Sequence, residues 1–145
     1  MDSAVILEWF NYGDSDFISA NWLTKNHPVH IELVCYLCQQ SAEKYLKGYL
    51  IFKGVEDPPK IHNLDTLCEM CEKYDEKFAE IKKPCNILTI YGVQPRYPDE
   101  MEIFEQDMKK ALAYAEQMKA FEPLQAVRNE LIEKHKKRGC EPHGI

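Results

Sequence analysis

The stretch CYLCQQSAEKYLKGYL (Cys35–Leu50) supports two readings. Its first four residues form a C-x-x-C pair, repeated at Cys68 and Cys71, and two such pairs suggest a zinc site. Extended to its neighbours, the same stretch places Ile31, Cys35, Cys38, Ala42, Tyr45, Tyr49 and Phe52 at alternating steps of four and three. That is one apolar stripe along a long helix, widened by Val34, Leu46 and Leu50. Zinc ribbons carry C-x-x-C on tight turns, so that both thiolates converge on one ion. Here the flanking residues are Leu, Tyr and Glu rather than Gly or Pro, and residues three apart share a helix face without any metal. The thiols are expected in the core. A thioredoxin-like redox pair would need a surrounding βαβ pattern, and none is present.

Helical periodicity extends to both sides of this segment. Upstream, Val5, Trp9, Tyr12, Asp16, Ala20 and Leu23 fall on one predicted face, and His27-Pro28 breaks that helix. Gly54 ends the central helix and Asp57–Lys60 forms a turn. Leu64, Leu67, Cys68 and Cys71 point inward from a third helix that Asn63 can cap. A helical piece near 75–82, a break at Pro84 and a short apolar segment, Ile87–Tyr91, follow. Gly92, Pro95 and Pro98 mark a loop. Met101, Phe104, Met108, Ala111, Ala115 and Met118 then repeat the four-three rhythm. A thinner stripe, Leu124, Val127, Leu131 and His135, is supported by Glu130–Lys134 and Glu133–Lys137 pairs and stops at Gly139. The predicted architecture is all-α, an up-and-down antiparallel bundle of about five helices over residues 1–122, with an amphipathic helix and tail at 123–145.

Bulk properties fit one domain. The chain has 145 residues, 45% hydrophobic and 29% charged, with a formal charge of -6 and a pI near 5.4. An acidic balance repels nucleic acid and anionic membranes at long range, so any phosphate site needs a local basic cluster. The opening MDSAVILEWFNYGDSD lacks a basic n-region, and no apolar run approaches membrane-spanning length. Six cysteines without such a signal point to a reducing compartment, the cytoplasm.

The polar side of the central helix carries Gln40, Glu43, Lys44 and Lys47, beside small residues Ser41, Ala42 and Gly48. From composition alone, this is a solvated face. The motif QQSAEKYLKG (39–48) nevertheless resembles the signature helix of HEPN-domain proteins. Residues 9–20, where a Trp leads to Asp16, resemble that family's first helix. Ile61-His62-Asn63-Leu64 and Arg96-Tyr97-Pro98 resemble its Thr-His-Asp-Leu turn and Arg-Tyr-Pro loop, and 101–121 resembles its closing helix. The resemblance covers roughly residues 5–121 and implies a helical bundle, often a homodimer. Many relatives bind nucleotides or work beside a minimal nucleotidyltransferase. Other branches are metal-independent ribonuclease toxins of toxin–antitoxin pairs, using an Arg and then a His after four to six residues.

Two matches to that nuclease spacing occur, Arg128 to His135 and Arg138 to His143. Both lie behind the matched region, which leaves Arg128 and His135 as weak catalytic candidates. The chemistry itself is sound, since Arg stabilises a crowded phosphate while His moves a proton. Lys134–Arg138 could hold RNA phosphate or simply solvate a helix end.

Asp16 sits on the predicted apolar stripe, where a lone carboxylate is costly and a partner is expected. Lys44, Lys47, His62 and Arg96 are the candidates. They either form an internal salt bridge with it or gather as a pocket for a nucleotide phosphate. Gln40, Glu43 and Tyr97 are read as structural polar partners, and Trp9 as packing. The expectation is therefore a HEPN-like binding module for a nucleotide or a nucleotidyltransferase partner, dimeric, with no cofactor, metal or membrane required. A ribonuclease toxin and a zinc-stabilised structural protein are the alternatives.

Overall fold

The computed structural model describes residues 2–26, 30–92 and 102–139. Among them are six α-helices: α1 (Ser3–Asn26), α2 (Ile31–Phe52), α3 (Leu64–Glu72), α4 (Lys82–Leu88), α5 (Glu105–Ala120) and α6 (Glu122–Gly139). Short 3-10 turns cover Pro58–Lys60, Glu76–Ile81 and Thr89–Tyr91, and the described residues contain no strand. Among the described residues no helix is long and apolar enough to cross a membrane. The all-α expectation holds, with six helices where periodicity counts about five. His27, Pro28 and Met101, to which the sequence reading assigned roles, lie outside the described residues.

The central stretch, α2, is the axis of the molecule. Every residue from Cys38 to Ile51 except Gln40 and Lys44 is buried, because α1, α3, α4, α5 and α6 all pack around it. The helix stops where Gly54 takes φ 88°, and the Gly54 and Val55 N–H groups donate to the carbonyls of Ile51 and Leu50. This Schellman closure needs a left-handed residue and so favours glycine. The most extensive contact is α1 on α2, and it is close because both helices present glycine. An added Cβ at Gly13 would lie 2.6 Å from Tyr45 Cε1, and one at Gly48 would lie 2.9 Å from Phe10 Cε2.

The face of α1 differs from the predicted one. Ile6, Phe10, Gly13 and Ala20 are buried, whereas Val5 and Tyr12 are 43% and 60% exposed. The helix is apolar on two sides, and the side carrying glycine wins because only there can α2 come close. Pro84 does not break the chain either. It is the third residue of α4, within the first turn, where its missing N–H has no partner to lose. Ile87–Tyr91 completes α4 and the following turn, and Phe104 caps α5 from outside with 54% exposure. On α6, Leu124, Val127 and Leu131 join the common core, but His135 is exposed. The expected Glu130–Lys134 pair forms at 3.4 Å.

The thiols are dry. Cys35, Cys38, Cys68, Cys71 and Cys85 are all buried and unbridged. The Cys68 and Cys71 thiols donate to the carbonyls of Phe78 and Leu46. Burial pushes the Cys35 thiol up to about 12 and raises those of Cys38 and Cys71, which keeps them neutral. Among the described residues no group of three or more His, Cys, Asp or Glu side chains is arranged to hold a metal ion.

Candidate functional site

The polar side of α2 is not the solvated face that composition implies. Glu43 and Lys47 are only 6% and 2% exposed, and Gln39 is fully buried. Gln39, Glu43 and Lys47 recur every four residues, so they form one row along the helix. Gln39 Nε2 donates to Glu43 Oε1 at 3.0 Å, and Lys47 Nζ donates to Glu43 Oε2 at 2.7 Å. Lys47 also donates to the Pro59 carbonyl at 3.1 Å, and Gln39 to the His62 carbonyl at 3.3 Å. Gln40 Nε2 donates to Gln39 Oε1 at 2.7 Å. Burial alone would raise the Glu43 carboxyl, but the bonds from Lys47, Gln39 and His62 outweigh it and hold the group below the usual carboxylate range.

This row reaches the surface through His62. Its Nδ1 lies 3.1 Å from Glu43 Oε2 and 3.5 Å from Lys47 Nζ, while 69% of its side chain is exposed. The Glu43 contact at Nδ1 fixes the ring and turns Nε2 away from the row. The turn that carries His62 is itself pinned. Asn63 Oδ1 accepts from Thr66 N–H, and Leu64 N–H donates to Thr89 Oγ1 at 2.9 Å. Gly92 packs its backbone on Gln39, since a Cβ there would lie 3.2 Å from Gln39 Nε2. The chain thus passes the row four residues before Arg96; Arg96 and Tyr97 lie outside the described residues.

Lys44 belongs to the other edge of α2. It donates to Asp16 Oδ2 at 2.5 Å and lies 5.9 Å from the centre of the Tyr12 ring. With Val5, Glu8, Trp9 and Tyr12 it lines a shallow hollow of about 260 Å³. The structure therefore brings Lys47 and His62 together at Glu43 and gives Asp16 the partner Lys44.

A second polar cluster centres on Arg128, which the sequence offers only as a catalytic candidate. Arg128 on α6 makes a two-pronged bond to Asp14 on α1, with one arm at 2.9 Å, and Tyr45 OH donates to the same carboxylate at 2.5 Å. The guanidinium lies 5.5 Å and 5.6 Å from the ring centres of Phe10 and Tyr45. Burial raises the Asp14 carboxyl, and the Arg128 and Tyr45 bonds more than offset it, so it stays low. Burial and then the Asp14 bond push the Tyr45 phenol up, so it remains the donor. Arg128 is thus engaged in joining α6 to α1 and α2, and exposed His135 lies about two turns further on.

The fold is an α-helical bundle built on one central helix, with a buried polar row that opens at a pinned histidine turn. The HEPN domain model matches residues 6–125, and the chain belongs to the HEPN family. Among solved structures, ST0689, an archaeal HEPN homologue, is similar at 24% identity with a TM-score of 0.62, covering 87% of this chain and 97% of that one. A search of curated proteins gives no significant match.

Proposed function

We propose that this HEPN protein is a homodimeric binding module whose ligand is an anion of the nucleotide class, taken at the His62 end of the α2 row. The reading extends to a minimal nucleotidyltransferase as the protein partner. Catalysis by the chain itself is not required.

The observation that carries the proposal is the fixed yet exposed His62 ring. Its orientation is set by Glu43, whose charge is in turn held by buried Lys47, so the ring is preorganised at the surface. In this reading His62 and Arg96 meet the phosphate, with Tyr97 kept as a structural polar partner. Lys44, expected from the sequence as a phosphate ligand, is instead neutralised by Asp16 on the other edge of α2 and is not part of this site. Lys47 acts from inside, because its ammonium already has Glu43 and Pro59 as partners. Arg suits phosphate through its planar fork, and His through a directed N–H when protonated.

The test is calorimetric titration of the protein with ATP at two salt concentrations. Binding is expected, weaker at the higher salt, and reduced at least about tenfold in Arg96→Ala and His62→Ala. Unchanged affinity in both variants would remove the site. Metal-independent RNA cleavage lost in His135→Ala would replace the proposal with the nuclease reading.

A further inference from the structure

A hollow of about 590 Å³ lies where α2 ends, between the start of α1 and the turn that follows α2. Its volume falls within the roughly 300–1,000 Å³ of ligand-binding clefts. Ile6, Ile51, Val55 and Pro58 supply its apolar wall, and all but Val55 are buried in the fold. The wall is firm. Pro58 and Pro59 restrict their own backbone, and the Pro59 carbonyl accepts from buried Lys47 at 3.1 Å. Every charge on the hollow has one sign. Glu56 and Asp57 line it, both exposed, and neither makes an ion pair among the described residues. No described lysine, arginine or histidine lines it. Lys53, within the same stretch, lines a different hollow, its ammonium 5.6 Å and 5.7 Å from the ring centres of Tyr49 and Phe52. Exposed Lys60 lies beyond Pro59 and outside the lining. The C-terminus of α2 adds the negative end of its dipole.

We infer that this hollow docks a basic segment of a partner protein, with a lysine or arginine stem laid on the apolar wall and its charge at Glu56 and Asp57. Charge complementarity chooses the occupant. An apolar wall under uncompensated negative potential selects a cation carried on an apolar stem, which is what a lysine or arginine side chain is. The same potential repels an anion, including the nucleotide proposed for the His62 site. A free amine is the weaker occupant, because an exposed ion pair alone contributes little. A segment adds the burial of apolar surface from the side chains beside its cation. This surface excludes His62, and the inference stands apart from the nucleotide reading.

Fluorescence anisotropy of the full chain with a short labelled peptide of alternating lysine and leucine tests it. Wild type is expected to bind, with an affinity that falls as salt rises. Asp57 has φ 60°, a conformation that asparagine tolerates as aspartate does. Glu56→Gln combined with Asp57→Asn therefore removes both charges and leaves the backbone intact. That variant should bind about fivefold more weakly, with a shallower salt dependence and an unchanged thermal melt. Glu130→Gln combined with Glu133→Gln changes the net charge equally but outside the hollow, and should bind as wild type does. No binding by wild type, or equal weakening in the two double variants, overturns the inference. Displacement of the peptide by equimolar n-hexylamine overturns the choice of a protein segment and assigns the hollow to free amines.

Discussion

Arg128 interrupts an apolar series, standing four residues after Leu124 and three before Leu131. A guanidinium there requires a carboxylate, by the same logic that assigned Asp16 a partner. Asp14 is that carboxylate, and Arg128 Nε stays buried without a hydrogen-bond partner. The Asp14–Arg128 link is partly exposed at 21% and 13%, so Asp14→Asn should cost about 2–3 kcal/mol in chemical denaturation, below the fully buried case. Glu43→Gln removes the counter-charge of a lysine that is 2% exposed and should cost about 3–5 kcal/mol. Both carboxyls sit below their ordinary values of 3.8 and 4.5 in the folded chain. Between the folded and ordinary values the unfolded chain binds more protons, so stability is full above the ordinary values and falls with pH beneath them. An acid titration of the melting temperature should therefore drop on going below those values, and less steeply in Asp14→Asn and Glu43→Gln. The partners of Arg128 and Glu43 were hard to read because they lie far away in sequence. The four-residue spacing of Gln39, Glu43 and Lys47 was visible, but only burial distinguishes such a row from a solvated one.

The helices themselves were legible wherever one face alone is apolar. For α2 and α3 the periodic positions Cys35, Cys38, Tyr45, Leu64, Leu67 and Cys71 are buried, although α2 is buried on its polar side as well, and Asn63 caps as its side chain predicts. In α1 periodicity could not choose between two apolar sides, and the choice was made by glycine. Gly13→Ala should therefore cost about 1–3 kcal/mol by overpacking against Tyr45, although alanine is the better helix former. Replacing outward Tyr12 by Gln should change the thermal stability of the monomer by no more than about 0.5 kcal/mol. Pro84 was read as a break because its position in the first turn of α4 depends on where Ile81 ends the preceding 3-10 turn. That boundary is fixed by the burial of Phe78 and Ile81, which no local pattern encodes.

At the scale of the molecule, α6 completes the bundle. Leu124, Val127 and Leu131 share the core of α1, α2 and α5, and the Arg128 link spans three helices. The first half of α6 is thus joined to the same structural unit as the helices before it. The outcome is a bundle whose buried Glu43 and Lys47 neutralise each other and whose polar row reaches the surface at the ring of His62 on the turn before α3. The outlet is what the proposed ligand must touch. Two-dimensional NMR of the imidazole resonances during addition of ATP examines it most directly. The His62 ring signals should move in a saturable way, with the exposed His135 ring unaffected. Saturable movement of other residues with His62 stationary would contradict the account.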